Sequence, residues 1–291
     1  LTPDKKWTVL DLITWASGYF KEKGVASARL DAELLLAHAL NTSRVRLYME
    51  SDKPLLPDEL QQFKKLAVER VKGMSVAHIV GKRDFWKGSF FVSPGVFVPR
   101  PETEALVEFA TKVIEADSLG PMLDLCSGSG NIAVSLAMEF AKAGVDAVEI
   151  TEIGAKVIGK NAANHDVGDR VFVSNVDAIE FLENIDKRYV FVASNPPYVP
   201  EAEWAGLDPA ITKFEPKGAL TSGSDGLEML REMIPLVERV LLPGGWFAFE
   251  YSGDSQTIAL MAMMEAAGFM QSTVHKDYAG IDRMITGQRR G

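Results

Sequence analysis

Five consecutive residues carry the clearest chemistry in the sequence: Ser194-Asn195-Pro196-Pro197-Tyr198. The two prolines restrict the backbone and delete two N–H donors, which leaves the carbonyls of Asn195 and Pro196 without strand partners. The Asn195 side-chain oxygen is a third acceptor. A planar –NH2 group can give one hydrogen to the Asn195 side chain and the other to the Pro196 carbonyl, so that its nitrogen lone pair points out of plane. Tyr198 is expected to pack on the flat face of such a group. An amide nitrogen is a poor nucleophile, because its lone pair is shared with the carbonyl. Two acceptors pulling on its hydrogens favour a tetrahedral nitrogen. Holding that nitrogen in line with an alkyl donor supplies a proximity effect worth up to ~7–11 kcal/mol in well-oriented systems. Neither a metal nor a strong general base is required. The bland alternative is a rigid Pro-Pro turn.

A second constellation lies upstream. Leu123–Ala137 reads LDLCSGSGNIAVSLA: a strand, a tight turn and a helix. Gly128 and Gly130 bare the backbone where a ligand comes close, and Cys126, Ser127 and Ser129 complete the turn. Glu149, 19 residues after Gly130 and at the end of the next strand, can accept both hydroxyl hydrogens of a ribose. The pattern predicts a nucleoside-containing cofactor, and Gly128-x-Gly130-x-x-Ala133 alone also satisfies the nicotinamide dinucleotide fingerprint. Asp124 moves the balance towards S-adenosylmethionine. A carboxylate just before the turn attracts a sulfonium and an ammonium group, whereas it repels a pyrophosphate. Asp177, after the third strand, is placed to meet an adenine amino group; a solvated loop acid is its plainer reading.

These residues need a frame. The chain has 291 residues, 47% hydrophobic and 24% charged, which excludes global disorder and suggests one large or two modest domains. With 31 Lys+Arg against 40 Asp+Glu, the net charge is −9, the reverse of the basic surplus expected of a nucleic-acid binder. Cys126 is the single cysteine, so neither an intrachain disulfide nor a cysteine-based zinc site is expected. No run approaches the ~18 apolar residues of a membrane helix, and the first twenty residues lack a signal-peptide layout. A soluble cytoplasmic protein is the simplest expectation. The first ~80 residues predict helices, with Leu30, Leu34, Leu35, Ala37 and Leu40 as the apolar stripe of Ala28–Leu40. Pro57 opens another helix to about Lys72, with Gly73 as its stop, and no strand of substance is expected before Phe85. Residues 85–98 predict a β-hairpin around Lys87-Gly88. Helices and strands then alternate, with strands at Met122–Leu125, Asp146–Ile150, Val171–Ser174, Tyr189–Ala193 and Trp246–Tyr251 and a closing hairpin from Phe269 to Thr286. That is the rhythm of a mostly parallel sheet.

The two motifs together resemble the amino-methyltransferases. The combination is similar to the release-factor glutamine methyltransferases, the HemK/PrmC family, over essentially the full chain. Beyond DLCSGSG and NPPY, the likeness rests on RLDAELLLAHAL (Arg29–Leu40), VFVPRPETE (Val96–Glu104), EPKGALTSGSDGL (Glu215–Leu227), LLPGGWFAFEYSGDSQ (Leu241–Gln256) and AGIDRMITG (Ala279–Gly287). The resemblance implies an α/β protein: a helical N-terminal domain over 1–82, a β-hairpin linker over 83–98, and a seven-stranded Rossmann-like S-adenosylmethionine methyltransferase domain over 99–291. It implies methylation of the glutamine side-chain amide in the Gly-Gly-Gln loop of class 1 peptide chain release factors, with S-adenosylmethionine as cofactor and no metal. Cofactor contacts carry over to Cys126, Ser127, Gly128, Ser129, Gly130, Glu149, Asp177, Ala178 and Asn195. Substrate contacts carry over to Asn195, Pro196, Pro197 and Tyr198, with Phe97 near both ligands. The Pro99–Glu104 junction favours a release factor over a ribosomal protein, and as bare physics it also suits a helix start.

Two departures carry expectations. Cys126 stands where the family more usually has the first glycine of the turn, and it is expected to keep an ordinary negative φ. Ala178, where some members carry a larger aromatic, implies a roomier adenine wall and weaker binding. The competing readings are a DNA adenine-N6 methyltransferase, a catalytically idle binding module and a nicotinamide oxidoreductase. The first needs a basic face and a target-recognition segment. The last needs a proton-transferring histidine in context, and His38, His78, His165 and His275 are scattered. A monomer without nucleic-acid or membrane partners is expected, and the helical domain is expected to hold the release factor.

Overall fold

The structure, a computed structural model, describes residues 5–291. It divides into two compact units: the chain up to Gly81 together with Pro209–Phe214, and Lys82–Asp208 with Glu215–Gly291.

The first unit is helical, with helices Val9–Glu22, Ala28–Ala39, Arg44–Met49, Pro57–Val71 and Val76–Val80. Thr8 starts the first of them with a reciprocal cap: its side chain accepts from Asp11 N–H, and the Asp11 carboxylate accepts from Thr8 N–H. Trp7, Leu12, Phe20, Leu35, Leu36 and Phe63 form its core. The helix Ala28–Ala39 is rotated from the expected stripe. Leu30 is 41% exposed, while Ala32, Leu35, Leu36 and Ala39 are buried together with Asp31 and Glu33. Neighbours pack on more than one side of this helix, so its buried face is wider than a single stripe. The inward acids are paired, Asp31 with Arg70 at 2.7 Å and Glu33 with Arg44 at 2.6 Å. Such a carboxylate is tolerated inside only when a partner replaces its lost water.

The second unit opens with a hairpin of β1 (Lys82–Phe85) and β2 (Gly88–Phe91), so the first strand begins three residues before Phe85. Seven strands follow: β3 (Met122–Leu125), β4 (Val145–Val148), β5 (Val171–Ser174), β6 (Tyr189–Ser194), β7 (Leu241–Glu250), β8 (Met270–Lys276) and β9 (Asp282–Gln288). They form one sheet in the order β5-β4-β3-β6-β7-β9-β8. β5 through β7 are parallel, and β9 and β8 close the edge as an antiparallel hairpin. Side-chain alternation along these strands builds two cores. Met122, Val145, Ala147, Phe191 and Ala193 face one. Leu123, Leu125, Val148, Val192 and Phe247 face the other. Helices Glu104–Val113, Asn131–Glu139 and Glu152–Asn164 bury apolar residues in the first core, and Ala178–Asn184, Glu228–Val240 and Asp254–Ala266 in the second.

The chain order reverses at β3, which has β4 on one side and β6 on the other. In an open parallel sheet the carboxyl ends of the strands at such a reversal frame a crevice. Leu125 is level with Ser194, and Ser194 with Phe249, so the turn after β3, the loop after β6 and the end of β7 emerge side by side. The hairpin is tied to this region by a fully buried residue. Asn161 accepts from Phe91 N–H at 2.7 Å, and its amide group donates to the Phe91 carbonyl at 3.0 Å and the Ser129 carbonyl at 2.8 Å. Among the described residues no helix is long and apolar enough to cross a membrane.

Candidate active site

The crevice is a cavity of about 780 Å³. Its wall brings together Phe97, Cys126, Ser127, Gly128, Glu149, Asp177, Ala178, Asn195 and Pro197 from the expected set. Asp124, Ser129, Gly130, Pro196 and Tyr198 are not among the residues that line it.

The turn after β3 is built by the backbone. Ser127 N–H reaches the Val148 carbonyl at 2.9 Å, and Gly130 N–H reaches the Ser127 carbonyl at 2.7 Å. Three of its residues are left-handed: Cys126 at φ +58°, Gly128 at +54° and Gly130 at +76°. The expectation of an ordinary φ at Cys126 is therefore corrected. The chain must swing sharply at the end of β3 to bring Ser127 onto β4, and Cys126 takes that conformation at a cost of about 1–2 kcal/mol that glycine would avoid. Its sulfur lies 3.8 Å from the Met229 sulfur, and burial, reinforced by the Glu149 charge, pushes the thiol pKa well up. It is a neutral packing group, not a nucleophile.

Asp124 is fully buried. Its Oδ2 accepts from Ala133 N–H at 3.1 Å, in the first turn of helix Asn131–Glu139, where an anion is favoured. Oδ1 has no partner. Burial raises the pKa of this carboxyl to about 7, with the Glu149 charge adding to it. An orphaned buried carboxylate oxygen behind a turn of bare backbone fits a ligand that brings an ammonium group. Glu149 sits on the wall with its acceptors partly engaged: Oε2 accepts from Gly128 N–H at 2.9 Å, while Oε1 accepts from Thr151 N–H and from the Thr151 hydroxyl. As placed, Oε2 keeps a lone pair for one ribose hydroxyl; gripping the second requires Thr151 to yield. Asp177 caps helix Ala178–Asn184 through Oδ1, which accepts from Ile179 and Glu180 N–H, and Oδ2 remains for a ligand. These donors and acceptors suit the amino acid, ribose and adenine parts of S-adenosylmethionine.

The other end of the cavity centres on Asn195. Its Nδ2 donates to Thr103 Oγ1 at 3.1 Å. The Thr103 hydroxyl donates to Glu250 Oε2 at 2.6 Å, and the Tyr198 hydroxyl donates to Glu250 Oε1 at 2.9 Å. Glu250 is 2% exposed; burial lifts its pKa, and burial beside Glu250 lifts that of Tyr198 well above the usual phenol range. Tyr198 is thus held by its hydroxyl beneath the loop, which explains why it does not form the cavity wall. No backbone N–H among the described residues bonds the Pro196 carbonyl, which stays available as an acceptor. Phe97 lies under the Arg100 guanidinium at 4.7 Å, and Arg100 pairs with the buried Glu215 at 2.7 Å.

Thr103, Glu250 and Arg100 were not singled out from the sequence as site residues. A signal for Glu250 was present: it interrupts an apolar strand, Trp246-Phe247-Ala248-Phe249-Glu250, at its carboxyl end. The Pro196–Tyr198 backbone has its own support. Gln256 Nε2 donates to the Tyr198 carbonyl and to the Asp225 carbonyl, each at 2.9 Å. Gly226, at φ +76°, passes so close that a Cβ there would run into the Tyr198 carbonyl oxygen. Replacing Gly226 by alanine is expected to destabilise the protein by roughly 3 kcal/mol, combining left-handed strain with overpacking. Thermal unfolding should show a melting temperature lower by roughly 5–10 °C; an unchanged midpoint would mean that the loop can yield.

Two family models match the chain: one described as PrmC N-terminal domain over residues 11–81, and one described as Methyltransferase small domain over residues 88–220. A curated relative from Geobacter sulfurreducens, named release factor glutamine methyltransferase, is 38% identical over 282 residues and 97% of each chain. Relatives of the same name from Rhodopirellula baltica and Chlorobaculum tepidum are 38% identical over 98% of each chain, and 34% identical over 97% of this chain and 98% of the other. Among solved structures, the hMettl16 catalytic domain superposes with a TM-score of 0.55 at 13% identity, covering 76% of this chain and 81% of that one, which is a likeness of fold.

Proposed function

The chain belongs to the release factor glutamine methyltransferase family, and from that membership we propose how its cavity works. The protein transfers a methyl group from S-adenosylmethionine to the side-chain amide nitrogen of the glutamine in the Gly-Gly-Gln loop of class 1 peptide chain release factors. When bound, S-adenosylmethionine supplies an electrophilic sulfonium methyl. Asp124, Glu149 and Asp177 hold the cofactor by its ammonium, ribose and adenine ends, with the turn Cys126–Gly130 against it. Asn195 Oδ1 and the Pro196 carbonyl take the two hydrogens of the substrate amide. They draw electron density onto the nitrogen and turn its lone pair towards the cofactor end of the cavity. The sulfur–methyl bond would break as the N–C bond forms, leaving S-adenosylhomocysteine, and one of the amide hydrogens then leaves as a proton. Pro197 and Phe97 wall the glutamine side chain and exclude water.

The observation that carries this reading is the arrangement at Asn195. A carboxamide whose nitrogen is tied back to Thr103 offers its oxygen to the cavity, beside a Pro196 carbonyl with no backbone donor. The acidic balance of the chain fits a protein substrate better than a duplex. The helical unit is assigned to hold the body of the release factor, since one glutamine amide offers little area for affinity.

The test is label transfer from S-adenosylmethionine to an intact release factor, its Gln→Ala loop variant and a short Gly-Gly-Gln peptide. Label is expected on the intact factor and none on the variant. The peptide should react with a kcat/KM at least about a hundredfold lower, because it forfeits the remote contacts. Label on the variant would refute glutamine as the acceptor, and an equally good peptide would leave the helical unit without its assigned role.

A further inference from the structure

We propose that Thr103 and Glu250 are positioning residues that decide which end of the Asn195 carboxamide faces the substrate. The assignment rests on the reading of Asn195 as the acceptor of a substrate amide hydrogen. An asparagine side chain is nearly symmetric in shape, and only its hydrogen bonds determine whether oxygen or nitrogen points into a cavity. Here the bonds can be followed donor by donor. In the structure both hydroxyls that meet Glu250 donate to it: Thr103 at 2.6 Å and Tyr198 at 2.9 Å. A threonine hydroxyl has a single hydrogen. With that hydrogen committed to Glu250, the Thr103 oxygen can only accept, and its donor is Asn195 Nδ2 at 3.1 Å. The Asn195 oxygen is left to face the cavity.

The reversed rotamer is penalised twice. It would set Asn195 Oδ1 against Thr103 lone pairs, and it would aim Nδ2 at the –NH2 group of the substrate, donor against donor. Little solvent reaches the first clash, because Thr103 and Glu250 are 1% and 2% exposed. The fold places the three residues together without relying on one flexible loop. Asn195 follows β6 and Glu250 ends β7, two paired strands, and Thr103 closes the short helical turn Pro101–Thr103. Thr103 also reaches the cavity wall. The role is distinct from that of Asn195 itself, since neither Thr103 nor Glu250 needs to touch the reacting nitrogen.

Thr103→Val keeps the shape of the side chain and removes its hydroxyl, and Thr103→Ser restores the hydroxyl. With an intact release factor as substrate, Thr103→Val is expected to lower kcat roughly 10- to 100-fold, the range for an unmade buried hydrogen bond. KM for the release factor and Kd for S-adenosylmethionine should stay within about threefold. Thr103→Ser should recover most of kcat. In parallel, wild-type protein carrying 15N-asparagine should show a nuclear Overhauser contact between the Asn195 side-chain amide hydrogens and the Thr103 methyl, in the absence of any substrate. The proposal is overturned if Thr103→Val keeps kcat within twofold, if it loses cofactor binding in the same proportion as kcat, if Thr103→Ser is as slow as Thr103→Val, or if the amide contact is missing. Wild-type protein that leaves the release factor unlabelled would refute the functional reading instead, and the amide contact, read in the free protein, would still decide the orientation.

Discussion

Replacing Asn195 by alanine should lower turnover by about a thousandfold or more while changing cofactor affinity only a few-fold. In the proposed reading the side chain supplies one of two acceptors on the substrate amide, and losing a preorganised partner of a developing charge typically costs ~10²–10³ in kcat. A second loss compounds the first. Without Asn195 Nδ2, the oxygen of Thr103 is left buried with no donor, an unmet acceptor that loosens the wall beside the substrate amide. In the proposed reading cofactor binding rests mainly on Asp124, Glu149 and Asp177, whose hydrogen bonds involve neither Asn195 nor Thr103. Single-turnover kinetics with labelled S-adenosylmethionine, set beside calorimetry of cofactor binding, separates the two quantities. Equal losses in both would contradict the acceptor role.

Cofactor affinity should fall steeply as the solution is acidified below neutrality, and Asp124 is the reason. Burial raises its carboxyl pKa to about 7, against an ordinary value of 3.8. The sign of the linkage follows. Between those values the folded free protein holds a proton that the unfolded chain releases, so folding stability declines as pH rises from about 4 to about 7. Binding has the opposite slope. An ammonium group is welcome only when the carboxylate is ionised, so each pH unit below about 7 costs roughly tenfold in affinity. Calorimetry should find Kd for S-adenosylmethionine about a hundredfold weaker near pH 5 than near pH 8. In Asp124→Asn, which cannot ionise, affinity should be weak and nearly independent of pH over that range. A flat profile in the wild-type protein would remove Asp124 from the ammonium end of the site.

Much of this arrangement was legible before any coordinates. Strand–turn–helix from Leu123 to Ala137 is announced by glycines whose left-handed backbone few other residues adopt, and the prolines at 196 and 197 restrict the chain wherever they are placed. The βα alternation follows from the apolar runs, because each strand buried on both faces must be apolar on both. What stayed hidden depends on distant parts of the chain meeting. Glu250 and Thr103 are 147 positions apart and join only through the β6–β7 pairing and the approach of Pro101–Thr103. Cys126 was expected to behave as a typical L-residue, since local propensity sees only its own Cβ; the pull of Ser127 onto β4 overrides it. In helix Ala28–Ala39 the stripe was misplaced because periodicity counts apolar residues, whereas Asp31 and Glu33 enter the interior on the strength of arginines elsewhere in the sequence.

The grip of Asn161 on the hairpin has a consequence for how this protein can diverge. Among the described residues Asn161 bonds main-chain groups alone: the N–H and C=O of Phe91, and the Ser129 carbonyl in the glycine turn. It is therefore blind to the side chains at both places. Mutational drift can rewrite the hairpin at that strand position without loosening the joint, so long as the strand keeps its shape. The burden of inheritance falls on one amide: a lineage that exchanges Asn161 for aspartate surrenders two donated bonds at once, and no compensating side chain on the hairpin can replace them.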